Sequence, residues 1–162
     1  MYTIENIDIL WMRHAITLAN YASVMGEISV GAVLIKNNKL IGLGWNASIH
    51  QNDPSAHAEI IALRTGGKFL NNYRLLDTTL YVTLEPCIMC IGAIIHARIY
   101  RLVCGAKNNK IGYTTTYLKN MLQHPTKNHN ISLTTGILEQ ECANQLNYFF
   151  KRQRNSRKNY KK

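Results

Sequence analysis

A chain of 162 residues with 46% hydrophobic and 17% charged residues has the composition of a globular protein with one full core. No apolar run approaches the length of a membrane span, and the first residues, which include Glu5 and Asp8, lack the sustained apolar segment of a secretory leader. The formal charge of +10 is unevenly placed, because seven of the 19 Lys and Arg residues fall at 151–162, where there is no acid.

In chain order, residues 7–25 read as an amphipathic helix, with Asp8 near its start and Gly26 just past its end. Residues 29–35 and 40–45 read as two strands joined around Asn37-Asn38, a tight hairpin turn. Pro54-Ser55 opens a helix over 57–64 that Gly66-Gly67 would stop. A short buried strand at 80–84 leads into a second helix, with Pro86 suited to its first turn. A strand at 101–105 follows, and this strand–helix–strand spacing implies parallel pairing. A fifth strand is expected at 131–135. The last helix runs from Glu139 to about Arg154, with Cys142, Leu146, Phe149 and Phe150 on its apolar side. The predicted architecture is a three-layer α/β/α sandwich around a mixed sheet of about five strands. Residues 1–150 would form the domain proper, and 151–162 a basic extension of its last helix.

Two motifs carry chemistry: His57-Ala58-Glu59 and Pro86-Cys87-Ile88-Met89-Cys90. Together they offer His57, Cys87 and Cys90 as soft metal ligands and Glu59 as a free carboxylate. A structural zinc site closes its shell with four protein ligands, whereas a catalytic one keeps a position open for water. Three ligands and an unattached glutamate therefore point to zinc-assisted water activation, with Glu59 as the proton carrier. The pattern is that of zinc nucleobase deaminases. Placing Cys87 and Cys90 in one first helical turn would favour thiolate through orphan amides and the helix dipole. Cys104, in a strand-like run, and Cys142, in a helix-like run, are expected to be buried packing residues. Free cysteines suit a reducing compartment, so a cytoplasmic protein is expected. The basic tail admits two readings, a solvated terminus or a phosphate-binding arm.

The flanking residues narrow the class. Trp11-Met12-Arg13-His14-Ala15, Val30-Gly31-Ala32-Val33, Gly44-Trp45-Asn46, Asn72-Tyr73-Arg74-Leu75, Leu80 to Cys87, Gly105-Ala106, Gly136-Ile137-Leu138 and Phe149-Phe150 resemble the bacterial tRNA-specific adenosine deaminases over nearly the whole chain. The metal motif alone would serve cytidine, deoxycytidylate or guanine enzymes equally well. The resemblance implies a cytidine-deaminase-like fold, one Zn2+ per subunit and a homodimer. It also implies conversion of the wobble adenosine of a tRNA anticodon stem-loop, in an arginine tRNA, to inosine with release of ammonia. The base would be flipped into the zinc pocket, with Glu59 relaying protons. Asn46, Ala58, Asn108, Lys110, Phe149 and Arg152 would contact the substrate, Asn46 through the base, Phe149 and Arg152 from the last helix.

Two departures stand out. Ser29 occupies a position where relatives commonly have Pro, which would loosen the start of the first strand. Asn108 stands where relatives usually place Asp as acceptor for the ribose of the target nucleotide. An amide weakens a charge-assisted bond, so weaker discrimination against deoxyadenosine is expected.

Overall fold

The computed structural model describes residues 4–108, 115–123 and 129–159. In chain order these form α1 (Ile4–Val24), β1 (Gly31–Lys36), β2 (Lys39–Trp45), α2 (Ala58–Leu70), β3 (Thr78–Leu84), α3 (Ile88–Ala97), β4 (Arg101–Ala106), α4 (Thr115–Leu122), β5 (Ser132–Thr134) and α5 (Glu139–Asn159). The sheet runs β2-β1-β3-β4-β5, antiparallel on the β1 side and parallel from β3 to β5. Both Asn37 and Asn38 adopt left-handed backbone, at φ 50 and 56, and Lys36 pairs with Lys39 across them. Asn tolerates that region better than other non-glycine residues, which is why this dipeptide closes the hairpin. Asn38 Oδ1 also accepts the indole N–H of Trp11 at 3.1 Å, tying the turn to α1.

Strand side chains alternate between two cores. Ala32, Leu34, Leu80, Val82, Leu102 and Cys104 face α2, α3 and α4. Val33, Ile35, Tyr81 and Val103 face α1 and α5. Cys104 and Cys142 are buried, with their thiols pushed up by burial, Cys142 to about 12.

Two local expectations are corrected, and one helix was not expected. Helix α2 does not stop at Gly66-Gly67 but runs on to Leu70, closed by Asn71 in left-handed backbone. A side chain at Gly66 would strike Leu34, so the glycine lets the helix lie close on β1 and β2 rather than breaking it. Ser29 does not loosen the strand: it is buried and its hydroxyl donates to the Ala19 carbonyl at 2.9 Å. Helix α4 had no counterpart in the predicted elements.

Under α1, Asp8 receives both terminal nitrogens of Arg101, at 2.8 and 2.7 Å, and the Tyr81 hydroxyl at 2.9 Å. Thr134 Oγ1 accepts from Nε at 3.2 Å and from Nη2 at 2.8 Å of the same guanidinium. This staple joins α1 to β3, β4 and β5 at the sheet end away from the motifs.

Candidate active site

The motif residues sit where two helices begin. His57 is the N-cap residue of α2, with φ −80 and ψ 155, and Cys87 is the N-cap residue of α3, with φ −73 and ψ 169. Cys87 therefore lies one position before the first turn, not within it. Proline at 86 keeps the residue before it out of helical backbone, so the chain leaves β3 at Leu84 and runs through Glu85 and Pro86 before α3 starts. Neither N-cap side chain makes a capping hydrogen bond; the imidazole and the thiol turn instead toward each other and toward Cys90. Cys90, in the first turn of α3, is fully buried.

The three donor atoms, His57 Nδ1, Cys87 Sγ and Cys90 Sγ, lie 3.6 Å from one another on every edge. Tetrahedral zinc with bonds of about 2.0–2.3 Å requires donor separations of about 3.3–3.8 Å. The cluster thus fits one face of a zinc tetrahedron, and it is the one group of potential metal ligands found among the described residues. Bonding from Cys90, then from His57, holds the Cys87 thiol down to about 4. The same sulfur contact and burial push Cys90 up.

Glu59, in the first turn of α2, is 3% exposed. Burial outweighs its hydrogen bonds and pushes its carboxyl up to about 7, within the range of a group that both accepts and returns a proton near neutrality. Asn46, at the end of β2, is also buried, and its Oδ1 accepts the Ala58 main-chain N–H at 2.9 Å. Ala58 is wholly buried and its N–H is engaged by Asn46.

These groups open into a cavity of about 360 Å³. His57, Glu59 and Cys87 form its reactive end, Ile28 and Val30 one apolar wall, and Asn46 a polar point beside them. Leu84, Glu85, Ala106, Lys107 and Asn108 come from the ends of β3 and β4, and Ala143, Leu146, Asn147 and Phe150 from α5. The spacing of that last set is one helix face. Phe149 falls elsewhere: it is 5% exposed and packed inside, so Phe150 replaces it as the cavity aromatic. Arg152 is turned about 200° from Phe150 around the helix and lies 5.9 Å over the Tyr148 ring, away from the cavity. Arg154, within about 40° of Phe150, continues the cavity face. Lys110 lies outside the described residues. Glu85, Asn147 and Phe150 went unpredicted; the helical spacing from Ala143 and Leu146 was the available signal for the last two.

The comparisons with known proteins agree with this geometry. Residues 5–106 match the cytidine and deoxycytidylate deaminase zinc-binding region, so fold and site together define a zinc-type hydrolytic deaminase. The chain is 51% identical to the tRNA-specific adenosine deaminase of Haemophilus influenzae, over 95% of this chain and 89% of that protein. It is 56% identical to that of Buchnera aphidicola subsp. Baizongia pistaciae, over 91% and 90%. A solved tRNA:A34 deaminase, studied for A-to-I editing at the wobble position, superposes with a TM-score of 0.75 at 35% identity, covering 84% of this chain and 98% of that one. The chain belongs to the tRNA-specific adenosine deaminase family.

Proposed function

We propose that this enzyme converts the wobble adenosine of a tRNA anticodon loop, in an arginine tRNA, to inosine. The observation that carries the reading is the His57–Cys87–Cys90 triangle with a buried, unattached Glu59 in the same cavity. Zinc bound by those three residues, one ion per subunit, would leave a position for water and lower its pKa to about 7.

The residues of the chain do the rest. Asn46, with its oxygen committed to Ala58, offers its Nδ2 to an acceptor on the flipped base. Glu59 takes a proton from the attacking water and passes it to ring nitrogen 1 as the water oxygen bonds to carbon 6. Glu59 then moves the remaining proton of the added hydroxyl to the exocyclic nitrogen; the carbon–nitrogen bond breaks as the carbonyl forms at carbon 6, and ammonia leaves. Ile28, Val30, Leu84 and Phe150 exclude bulk water around these transfers. Asn108 holds the ribose through a neutral acceptor, so discrimination against deoxyadenosine is weaker than with a carboxylate. Asn108→Asp should raise the ratio of RNA to DNA turnover.

A homodimer is supported by the apolar groove between α2 and α3, where Met89 and Ala93 line a cleft and the neighbouring Ile88 is 51% exposed. Four free cysteines suit the cytoplasm, and no helix among the described residues is long and apolar enough to cross a membrane. The deciding experiment is to sequence total tRNA after incubation with the protein. Adenosine read as guanosine at the wobble position of one arginine tRNA is expected. Turnover of free nucleosides or guanine, with tRNA untouched, would replace this reading with a small-molecule deaminase.

A further inference from the structure

Glu27 has no part in the reaction above, yet its side chain is buried, with the residue 3% exposed, in the segment between α1 and β1. No Lys or Arg pairs with it among the described residues. Its Oε1 instead accepts the His50 main-chain N–H at 2.7 Å, at the short end of the range for such bonds. A buried carboxylate without a cation is costly, and an apolar side chain would fill the same space at less cost. What the carboxyl adds there is an acceptor for that one N–H.

The bond joins two pieces of chain at the cavity mouth. Ile28, next to Glu27, lines the cavity and is 41% exposed, so this segment reaches from the wall to the surface. His50 lies at the tip of the loop that leads from Asn46 to His57. The base of that loop is held independently, by the Ala47 N–H on the Ala56 carbonyl at 3.0 Å and by Asn46 on Ala58. The tip folds on itself, with the N–H groups of Gln51, Asn52 and Asp53 donating to the carbonyls of Ala47, Ile49 and Ser48. Among the described residues, the Glu27 bond is the one hydrogen bond that ties 48–52 to chain outside the loop. Beside it, Ile49 is 72% exposed. A base flipped into the cavity leaves its flanking nucleotides outside, where they must cross this rim. We infer that Glu27 is a positioning residue that clamps the loop tip to the cavity wall and so preforms the rim over which the polynucleotide lies. A tip held before binding need not be ordered on binding, so the clamp acts on affinity and leaves the chemical step alone. This rests on the proposed nucleic-acid substrate.

The test is single-turnover deamination of an anticodon hairpin at rising enzyme concentration, which separates half-saturation from the limiting rate. Glu27→Ala should raise the half-saturating concentration about five- to twentyfold, as expected for a loop that loses one hydrogen bond and must be ordered on binding. The limiting rate and the zinc content should stay near wild type. Glu27→Gln keeps an acceptor oxygen for the His50 N–H and should bind like wild type. Glu27→Asp keeps the charge but is one methylene too short, so it should weaken binding as Glu27→Ala does, an expectation that stands even if Glu27→Ala does not fold. Amide exchange followed by NMR reads the clamp directly: the His50 N–H should exchange slowly in the free wild type and quickly in Glu27→Asp. A lower limiting rate in Glu27→Ala or Glu27→Asp, or a fall in Tm with half-saturation unchanged, overturns the role assigned to Glu27. So does weak binding by Glu27→Gln, or a His50 N–H that exchanges quickly in the wild type. A wild-type enzyme inactive on the hairpin overturns the substrate reading instead.

Discussion

Asn46 Oδ1 accepts the N–H of Ala58, the residue between His57 and Glu59, at 2.9 Å. One side chain thereby does two jobs: it satisfies an orphan N–H at the start of α2 and leaves its own NH2 for the cavity. Asn46→Asp keeps the first job and reverses the second, since a carboxylate accepts but cannot donate. Single-turnover rates should fall by about 10- to 100-fold while the thermal midpoint holds. Asn46→Ala loses both and should also cost about 1 kcal/mol of stability, seen as a lower melting temperature.

Glu59 and the ligands should separate cleanly by metal content. Glu59→Ala is expected to abolish turnover while zinc, measured by elemental analysis, and hairpin binding stay near wild type. Cys87→Ala should lose both zinc and turnover. Treating the wild type with a chelator should remove activity and lower Tm, and added zinc should restore both. Turnover by Glu59→Ala would refute the proton-relay role.

On α5, position around the helix outranks nearness in sequence. Arg154 continues the face of Asn147 and Phe150, whereas Arg152 sits over Tyr148. Arg154→Ala should weaken hairpin binding and reduce the slope of log affinity against log salt by about one. Arg152→Ala should change that slope less. Salt titrations of fluorescence anisotropy for both variants provide the comparison.

Asp8 compensates Arg101 and receives the Tyr81 hydroxyl, and its side chain is only 4% exposed. Asp8→Ala strands both partners and should destabilise by about 3–5 kcal/mol, a fall of about 10 °C in Tm. Deamination at low temperature should be nearly unaffected, because this staple lies at the other end of the sheet.

The clustering of His57, Cys87 and Cys90 beside a buried Glu59 was legible, because soft donors of those types suit zinc and a free carboxylate suits water activation. Most strands were legible too, since Val33 and Leu34, or Tyr81 and Val82, face opposite cores. What escaped depended on contacts across the chain. Gly66 reads as a helix stop until Leu34 is placed against it. Ser29 reads as a weak strand start until the Ala19 carbonyl receives its hydroxyl. Phe149 and Phe150 are indistinguishable as letters, and only the seating of α5 on β4 sends one inward and the other into the cavity.

The groups proposed to break and make bonds all come from one continuous stretch, residues 57–90, hung on the openings of α2 and α3. The residues that would choose what enters, Asn108, Asn147, Phe150 and Arg154, come later, from the end of β4 and from α5. A new substrate preference can therefore be written into the second set while the first is left untouched. Glu85 is the exception, two residues from a ligand and bonded to the selecting loop, so it is the hinge across which exchanging one set would disturb the other.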